Sequence, residues 1–375
     1  MSSVEPSPHS IAELQAAGLY DPAAPGAAER LALIEWLARH GATVADMVRT
    51  KGSLLDLVPI LASGPGPWLT LSELSERTGL SAERFQAVRF AAGLPPLDPD
   101  DAVLTEADTR TLSFFTMGEE LVGKEVARRF TQVLGASLAR IAEAAVAVAL
   151  VNLEGPILQT GGGDVALAEA RFRAVQTTAP LADAIAQFFR AHMSVAARRL
   201  RSSQAHGAIG TAQVTVGFVD LVGFTTLARR IEPRALVAIV ERFEETAHDV
   251  TALHNGRVIK FVGDEVMFVT ESAPAACEIA LDLVGHFADD PSVAPRGGLA
   301  AGEVLVRGGD YYGPVVNLAS RLSEVAVPRE VLVTDAVRVE AAAGRFRFEP
   351  AGRRVLKGFD EPVRLFTAER PGTSV

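Results

Sequence analysis

The sequence predicts an α+β protein: an all-α region over residues 11–200, then a βαββαβ unit over residues 213–370. Three observations predict it. Up to residue 200 apolar positions recur at helical spacing, as in Leu31, Ile34, Leu37 and Ala38. From Gln213 on, short β-branched runs such as VTVGFV (214–219) alternate with amphipathic stripes. Glycine and proline punctuate the joints, at Gly161-Gly162-Gly163, Asn255-Gly256 and Gly313-Pro314.

Composition narrows the class. A chain of 375 residues with 48% hydrophobic and 22% charged residues is a soluble globular type with core enough for two or three domains. Its net charge of −10 argues against a general nucleic-acid or membrane-surface binder. The single cysteine, Cys277, cannot form an internal disulfide, which fits a reducing compartment. The opening MSSVEPSPHS lacks the basic and apolar parts of a signal peptide. The most apolar run, 144–151, is far short of the roughly 20 residues of a membrane span. No membrane span and a cytoplasmic location are therefore expected.

Residues 1–10 read as a disordered tail. Gly41 stops the first strong helix, and Gly64-Pro65-Gly66-Pro67 is a loop. Residues 69–95 resemble a helix-turn-helix unit with its turn at Thr78-Gly79-Leu80. Such a unit either binds DNA or packs as a helix pair. The pair is favoured, because the second helix offers only Arg84 and Arg89 as bases. Residues 136–153 are apolar on nearly all sides, which predicts burial at a domain centre or an interface, with the wall of a lipid-sized pocket as the alternative. Leu181, Ile185, Phe188, His192, Val195 and Leu200 line one face of a long helix that ends in Arg198-Arg199-Leu200-Arg201. Residues 201–212 read as a linker. His192 and His206 flank this junction; both are ordinary surface histidines unless the junction senses pH.

In the second half, the strand 214–219 leads to Asp220 and then to Gly223, a turn, and a helix start at Phe224-Thr225. A carboxylate at the end of a buried strand requires neutralisation, and a strand–turn–helix start offers backbone N–H groups to an anion. A cation bridging acid and phosphate is one reading; an Asp capping a helix is the other. Residues 257–269, RVIKFVGDEVMFV, form a hairpin with Asp264 at its tip. Two carboxylates on neighbouring strand ends can hold two divalent cations about 4 Å apart, the spacing for an in-line phosphoryl displacement. Pro233 opens a helix striped with Leu236, Ile239, Phe243, Ala247 and Val250; a helix from about 273 to 288, a strand at 296–306 and a helix from Pro314 follow. The βαββαβ order is that of a ferredoxin-like palm.

FVDLVGFT, RVIKFVGDEV and DYYGPVVNLASRL, in this order, resemble the class III nucleotidyl cyclases over roughly 213–366. The layout of the first half is similar to the helical regulatory domain ahead of some bacterial members. The resemblance implies an adenylate cyclase that forms 3′,5′-cyclic AMP and pyrophosphate from ATP as a homodimer with two shared sites. It implies two divalent cations, Mg²⁺ or Mn²⁺, on Asp220 and Asp264, and a cradle for the β- and γ-phosphates from Leu221, Val222, Gly223, Phe224 and Thr225. Lys260 and Asp310 match the pair that selects adenine: a lysine donates to ring N1 and an aspartate accepts from the 6-amino group, whereas guanine shows the reverse pattern. Asn317 and Arg321, four apart on a helix face, match the ribose-orienting and transition-state residues; Lys357, in VLKGF, matches a triphosphate lysine. Lipid or another small molecule is a candidate ligand of the helical region. The competing readings are a guanylate or diguanylate cyclase, a nucleotide sensor without turnover, and a DNA-binding regulator. No general base stands out.

Overall fold

The computed structural model describes residues 9–50, 53–62, 68–99, 103–204, 210–290, 293–342 and 346–371. The chain divides into two compact units, Met1–Ala191 and His192–Val375.

The first unit is helical: α1 (Ile11–Ala16), α2 (Ala27–Arg39), α3 (Val44–Arg49), α4 (Leu57–Ala62), α5 (Leu71–Thr78), α6 (Ala82–Ala91), α7 (Glu106–Val122), α8 (Lys124–Ala149), α9 (Gly155–Gln159) and α10 (Asp164–Gln204), which runs on into the second unit. Of the periodic residues, Ile34 and Leu37 form one core with Leu14, Leu33, Met47 and Ala168, and Leu31 and Ala38 pack against it. Leu71, Leu74, Phe85 and Leu112 form another. Capping boxes at Thr43/Asp46 and Thr70/Glu73 satisfy the first N–H groups of α3 and α5. Gly79 makes the α5–α6 turn with φ 67°. Arg84 donates to Glu119 at 2.5 Å and Arg89 to the Pro95 carbonyl at 3.0 Å, so both bases of the second helix are engaged inside this domain.

The apolar stretch 136–153 departs from the burial expected at a domain centre. α8 buries its early residues Ala127, Thr131 and Gly135. At Gly135 it passes so close to α6 that a Cβ would stand 2.2 Å from the Ala92 carbonyl oxygen. Further along, Val146, Val148 and Val151 are 56, 62 and 71% exposed. Periodicity reports that a face is apolar and does not report what covers it. A cavity of about 290 Å³ that α8 does line lies at its start, beside Lys124, Ala127, Arg128 and Thr131, away from 136–153. The apolar length also needs correction. Counted as one helical rod through the wide π turn at Leu150–Glu154, the segment Lys124–Gln159 has a window of mean hydropathy 1.8 and is long and apolar enough to cross a membrane, by length and composition alone. Its far end is tied to protein: the buried Glu154 accepts from Arg171 at 3.2 and 3.1 Å.

The long helix before the junction is present, but its apolar face is also open, with Phe188 67% exposed and Phe189 and Met193 more than half exposed. The linker is shorter than 201–212, since α10 continues to Gln204 and the first strand starts at Thr211. Residues 205–209, with His206, and residues 1–8 of the expected tail lie outside the described residues.

The second unit contains β1 (Thr211–Val222), α11 (Phe224–Ala228), α12 (Pro233–Leu253), β2 (Arg257–Val262), β3 (Glu265–Thr270), α13 (Ala273–His286), β4 (Ala294–Arg307), β5 (Asp310–Tyr312), α14 (Pro314–Val325), β6 (Val331–Thr334), α15 (Asp335–Glu340), β7 (Arg347–Arg354) and β8 (Val363–Glu369). The sheet order is β2-β3-β1-β4-β6-β8-β7, with β5 paired to β4. Its first four strands are antiparallel in the ferredoxin-like order, and β6 joins β4 in parallel, which makes the sheet mixed. Strands β6 to β8 extend the palm beyond what the sequence reading identified. Phe243, Ala247, Ile279 and Leu283 of α12 and α13 pack on one face against Val219, Phe268 and Leu299. On the other face Ala319 of α14 joins Val216, Phe218, Met267 and Ala300. α14 seats on bare backbone there: a Cβ on Gly298 would lie 2.3 Å from the Ser323 nitrogen and 2.4 Å from the Ala319 oxygen.

Candidate active site

Asp220 lies two residues before the end of β1. In register it faces Glu265 on β3 and Arg296 on β4. Asp264 sits in the two-residue turn between β2 and β3, where Gly263 takes φ 65°. The Leu221 N–H donates to the Asp264 carbonyl at 3.3 Å, which pins the hairpin tip to the end of β1. The two acids stand close enough to perturb one another. Burial pushes the Asp264 carboxyl above its ordinary range, and the neighbouring Asp220 adds to this against the opposing pull of its own backbone N–H and of Arg296.

Arg296 partly neutralises this end of the sheet. Its Nε and Nη2 donate to one Asp220 oxygen at 3.1 and 2.9 Å, and its Nη1 donates to the Glu324 and Ala326 carbonyls at 2.7 and 3.0 Å. One guanidinium thus joins the acid end of β1 to the last turn of α14. The sequence reading gave Arg296 no role. The available signal was an arginine opening an apolar strand, in PRGGLAAG, at the end where Asp220 closes the neighbouring one.

Glu265 was also passed over. Burial pushes its carboxyl up to about 7, against the hydrogen bond from Ser323, and the charges of Asp220, Glu324 and Asp264 push the same way as burial. Ser323 Oγ lies 2.8 Å from Glu265 Oε1 and 2.8 Å from the Ser320 carbonyl. A hydroxyl has one proton, so both contacts are satisfied together when the carboxyl donates.

After Asp220 the chain turns at Gly223, with φ 78°, into α11. Leu221 is buried and Phe224 packs on the core, so what these two residues offer an anion is backbone N–H. Lys260 Nζ donates to Asp310 Oδ2 at 2.5 Å, closing a pair between β2 and β5. The register of β2 shifts between Val258 and Lys260, an irregularity that re-aims the lysine. Burial raises the Asp310 carboxyl, but the hydrogen bonds from Lys260 and from the Tyr311 N–H outweigh it and hold the group below its ordinary range. Asn317 and Arg321 lie one turn apart on α14; Asn317 is exposed and Arg321 is paired with Glu324. Lys357 is exposed in the turn between β7 and β8.

The structure therefore brings Asp220, Asp264 and Arg296 together, and Lys260 and Asp310 together. Among the described residues no hydrogen bond or ion pair joins the acids to Lys260, Asp310, Asn317 or Arg321. Among them, too, no group of three or more His, Cys, Asp or Glu side chains forms a closed metal cage. Two adjacent carboxylates are oxygen donors of the kind that hard divalent cations take, with the remaining positions left to water and phosphate. The residues present fit such ions.

Comparison with known proteins gives a consistent picture. The family model described as the adenylate cyclase regulatory domain matches residues 12–196. The model of the adenylate and guanylate cyclase catalytic domain matches residues 208–368. An uncharacterized protein of Mycobacterium tuberculosis is 34% identical over 94% of this chain and 92% of its own length. The pH-sensitive adenylate cyclase of M. tuberculosis is 32% identical over 92% of this chain and 89% of its own. An adenylate cyclase of Streptomyces coelicolor is 34% identical over 72% of this chain and 70% of its own. Among solved structures, the adenylyl cyclase CyaB from P. aeruginosa is 24% identical, with a TM-score of 0.40 over 44% of this chain and 98% of its own. On the family matches and the full-length relatives, the chain belongs to the class III adenylate cyclase family, with that family's regulatory domain ahead of its catalytic domain.

Proposed function

We propose that this chain converts ATP to 3′,5′-cyclic AMP and pyrophosphate, as a homodimer with two sites at the interface, in the cytoplasm. The observation that supports ATP over GTP is the Lys260–Asp310 pair: a donor and an acceptor held together, complementary to N1 and the 6-amino group of adenine. The relatives named adenylate cyclases point the same way.

Asp220 and Asp264 would hold the two divalent cations, whose chemistry would be to lower the pKa of the 3′-hydroxyl and to neutralise the triphosphate. The backbone of residues 221–225 cradles the β- and γ-phosphates, and Lys357 adds charge to them. Arg296, paired with Asp220, adds a fixed positive charge beside the acids, where it would offset the charge of the triphosphate. Asn317 orients the ribose. Arg321 leaves Glu324 and forks onto the α-phosphoryl oxygens as charge builds there, an interaction stronger in the transition state than in the ground state. Cyclisation places negative charge on both the attacking and the leaving oxygen, so positioning and electrostatics do most of the work.

The dimer reading is supported by the pairing within one chain, where Lys260 bonds Asp310 and Arg321 bonds Glu324 while, among the described residues, neither contacts Asp220 or Asp264 by a hydrogen bond or ion pair. A second copy related by a two-fold axis sets the acids of one chain opposite Lys260, Asp310, Asn317 and Arg321 of the other. The uncovered apolar residues of α8 and α10 supply a second surface for the same pairing. The helical unit lowers the activity of the catalytic unit, and pH is a candidate input, as the name of the M. tuberculosis relative indicates for that protein.

The test is product analysis. Purified full-length protein with Mn²⁺ or Mg²⁺ is expected to form cyclic AMP from ATP and little cyclic GMP from GTP. Cyclic GMP as main product overturns the base assignment, a linear guanylyl dinucleotide supports the diguanylate reading, and no turnover supports a sensor.

A further inference from the structure

Glu265 sits where a third acid is least welcome, half-buried beside Asp220 and Asp264. A buried carboxyl is retained in such a place only when it is engaged. Its partner is Ser323, fully buried on α14, at 2.8 Å. That serine is itself fixed. The backbone of α14 rests on Gly298 at the Ser323 nitrogen, and Arg296 holds the carbonyls of Glu324 and Ala326 just beyond it. The hairpin tip has fewer supports: a two-residue turn whose partner strand β2 is at the edge of the sheet. Apart from the β2–β3 ladder, the tip is joined to the sheet by the Leu221–Asp264 backbone bond and the strand pairing of Glu265 with Asp220. The Glu265 side chain adds a tie from the residue next to Asp264 to the best-seated helix in the unit.

We propose that Glu265 and Ser323 are a positioning pair that fixes the metal-bearing hairpin tip to α14, and that Glu265 is not itself a metal ligand. Asp264 holds its place only if the tip does, and a carboxylate displaced by a fraction of an ångström misplaces everything it coordinates. Because α14 is seated without the pair, breaking the tie moves the tip rather than the helix. In the shared-site reading on which this rests, the damage falls on the site to which a chain lends its acids, and not on the site to which it lends Arg321.

The conservative variant separates a tie from a ligand. Glu265→Gln keeps the length and can donate its amide to Ser323 Oγ, but it is a poor cation ligand. Glu265→Gln is expected to keep kcat within about twofold of the parent, while Glu265→Ala and Ser323→Ala each lower kcat about tenfold with KM changed less than about twofold. The double substitution is expected to be no worse than the poorer single, as for two halves of one contact. Mn²⁺ affinity, read by electron paramagnetic resonance with a non-cyclisable ATP analogue, should be unchanged in Glu265→Gln and weakened in both alanine variants. Loss of Mn²⁺ affinity and activity in Glu265→Gln makes Glu265 a ligand and overturns the proposal, as does full activity in folded Ser323→Ala.

Mixed dimers give the second arm. Asp220→Ala and Arg321→Ala chains are combined so that one intact site forms, with the Arg321→Ala chain lending the acids. Ser323→Ala added to that chain should lower the recovered activity about tenfold, and added to the Asp220→Ala chain it should leave it nearly unchanged. The opposite placement effect overturns the assignment to the hairpin tip. If the parent mixture recovers nothing despite verified subunit exchange, the shared-site reading fails instead, and the Glu265→Gln comparison still decides between tie and ligand.

Discussion

The two units of this chain are incomplete in different ways. The catalytic unit has a closed apolar core on both faces of its sheet, and its polar site falls into separate pairings: among the described residues no hydrogen bond or ion pair joins Asp220 and Asp264 to Lys260, Asp310 or Arg321. The helical unit lacks cover: α8 and α10 expose valines and phenylalanines that a folded monomer normally buries. In the homodimer proposed above, one addition, a second chain, completes the polar site of one unit and covers the apolar surface of the other. Such a protein can couple assembly to activity without a dedicated switch residue, because whatever changes how the helical units pair changes how the half-sites meet.

The largest effect should come from separating the half-sites. Asp220→Ala loses a cation site and Arg321→Ala loses the transition-state charge; each alone should fall by roughly three orders of magnitude in kcat. Mixed together they should recover up to about a quarter of the parent rate, since half the dimers are mixed and each has one intact site. No recovery with verified exchange breaks the comparison at its catalytic end. Next, Lys260→Glu combined with Asp310→Cys should reduce ATP turnover by about two orders of magnitude while the thermal midpoint moves little, because a half-buried pair still reached by solvent contributes little to stability and much to recognition. Unchanged ATP use in that variant removes the base assignment.

The helical unit is tested through its surface. Val148→Glu with Val151→Glu puts charge on residues that are already exposed in one chain, so the fold should be kept, while sedimentation should show the dimer weakened at least tenfold. An unchanged dimer would mean that this face is covered by something else. A truncated chain beginning near Gln204 should be several-fold more active than the full chain above its own dimerisation concentration and should lose any pH response that the helical unit confers.

The smallest effect concerns Glu265. Its folded pKa, about 7, stands above the ordinary value of 4.5, so the folded state binds the extra proton between these limits. The associated stability is fully present below about 4.5 and is lost as pH rises through about 7. In metal-free protein the thermal midpoint should therefore decline over that window, and Glu265→Gln should flatten the decline. An identical slope in both proteins would show that the titration belongs elsewhere.

How much of this was legible in the sequence follows from range. Strand β1, the hairpin and the α14 start are local patterns, and each was read within a few residues: Pro233 and Pro314 open helices, and Asn255 ends one with φ 56°. Asp220 and Asp264 were legible because each ends a short apolar run. Arg296, Glu265 and Ser323 were not, since their meaning depends on strand register and on a helix 58 residues away. The cover of α8 was not legible for a different reason: an all-apolar helix looks the same whether its own chain or a second one buries it. The linker was read too long because a polar, basic helix end resembles a loop.

In the base-selecting role proposed for it, the Lys260–Asp310 pair has one more consequence. Each partner satisfies the other, so such a selector is closed rather than bare. Adenine then enters by exchange, replacing one contact with two new ones, and the net gain is small although a mismatched base, which cannot complete the exchange, is refused. Such a selector discriminates without gripping. The product bears the same adenine as the substrate, so a selector that gripped would retain cyclic AMP after each turnover; one that recloses on itself helps to expel it.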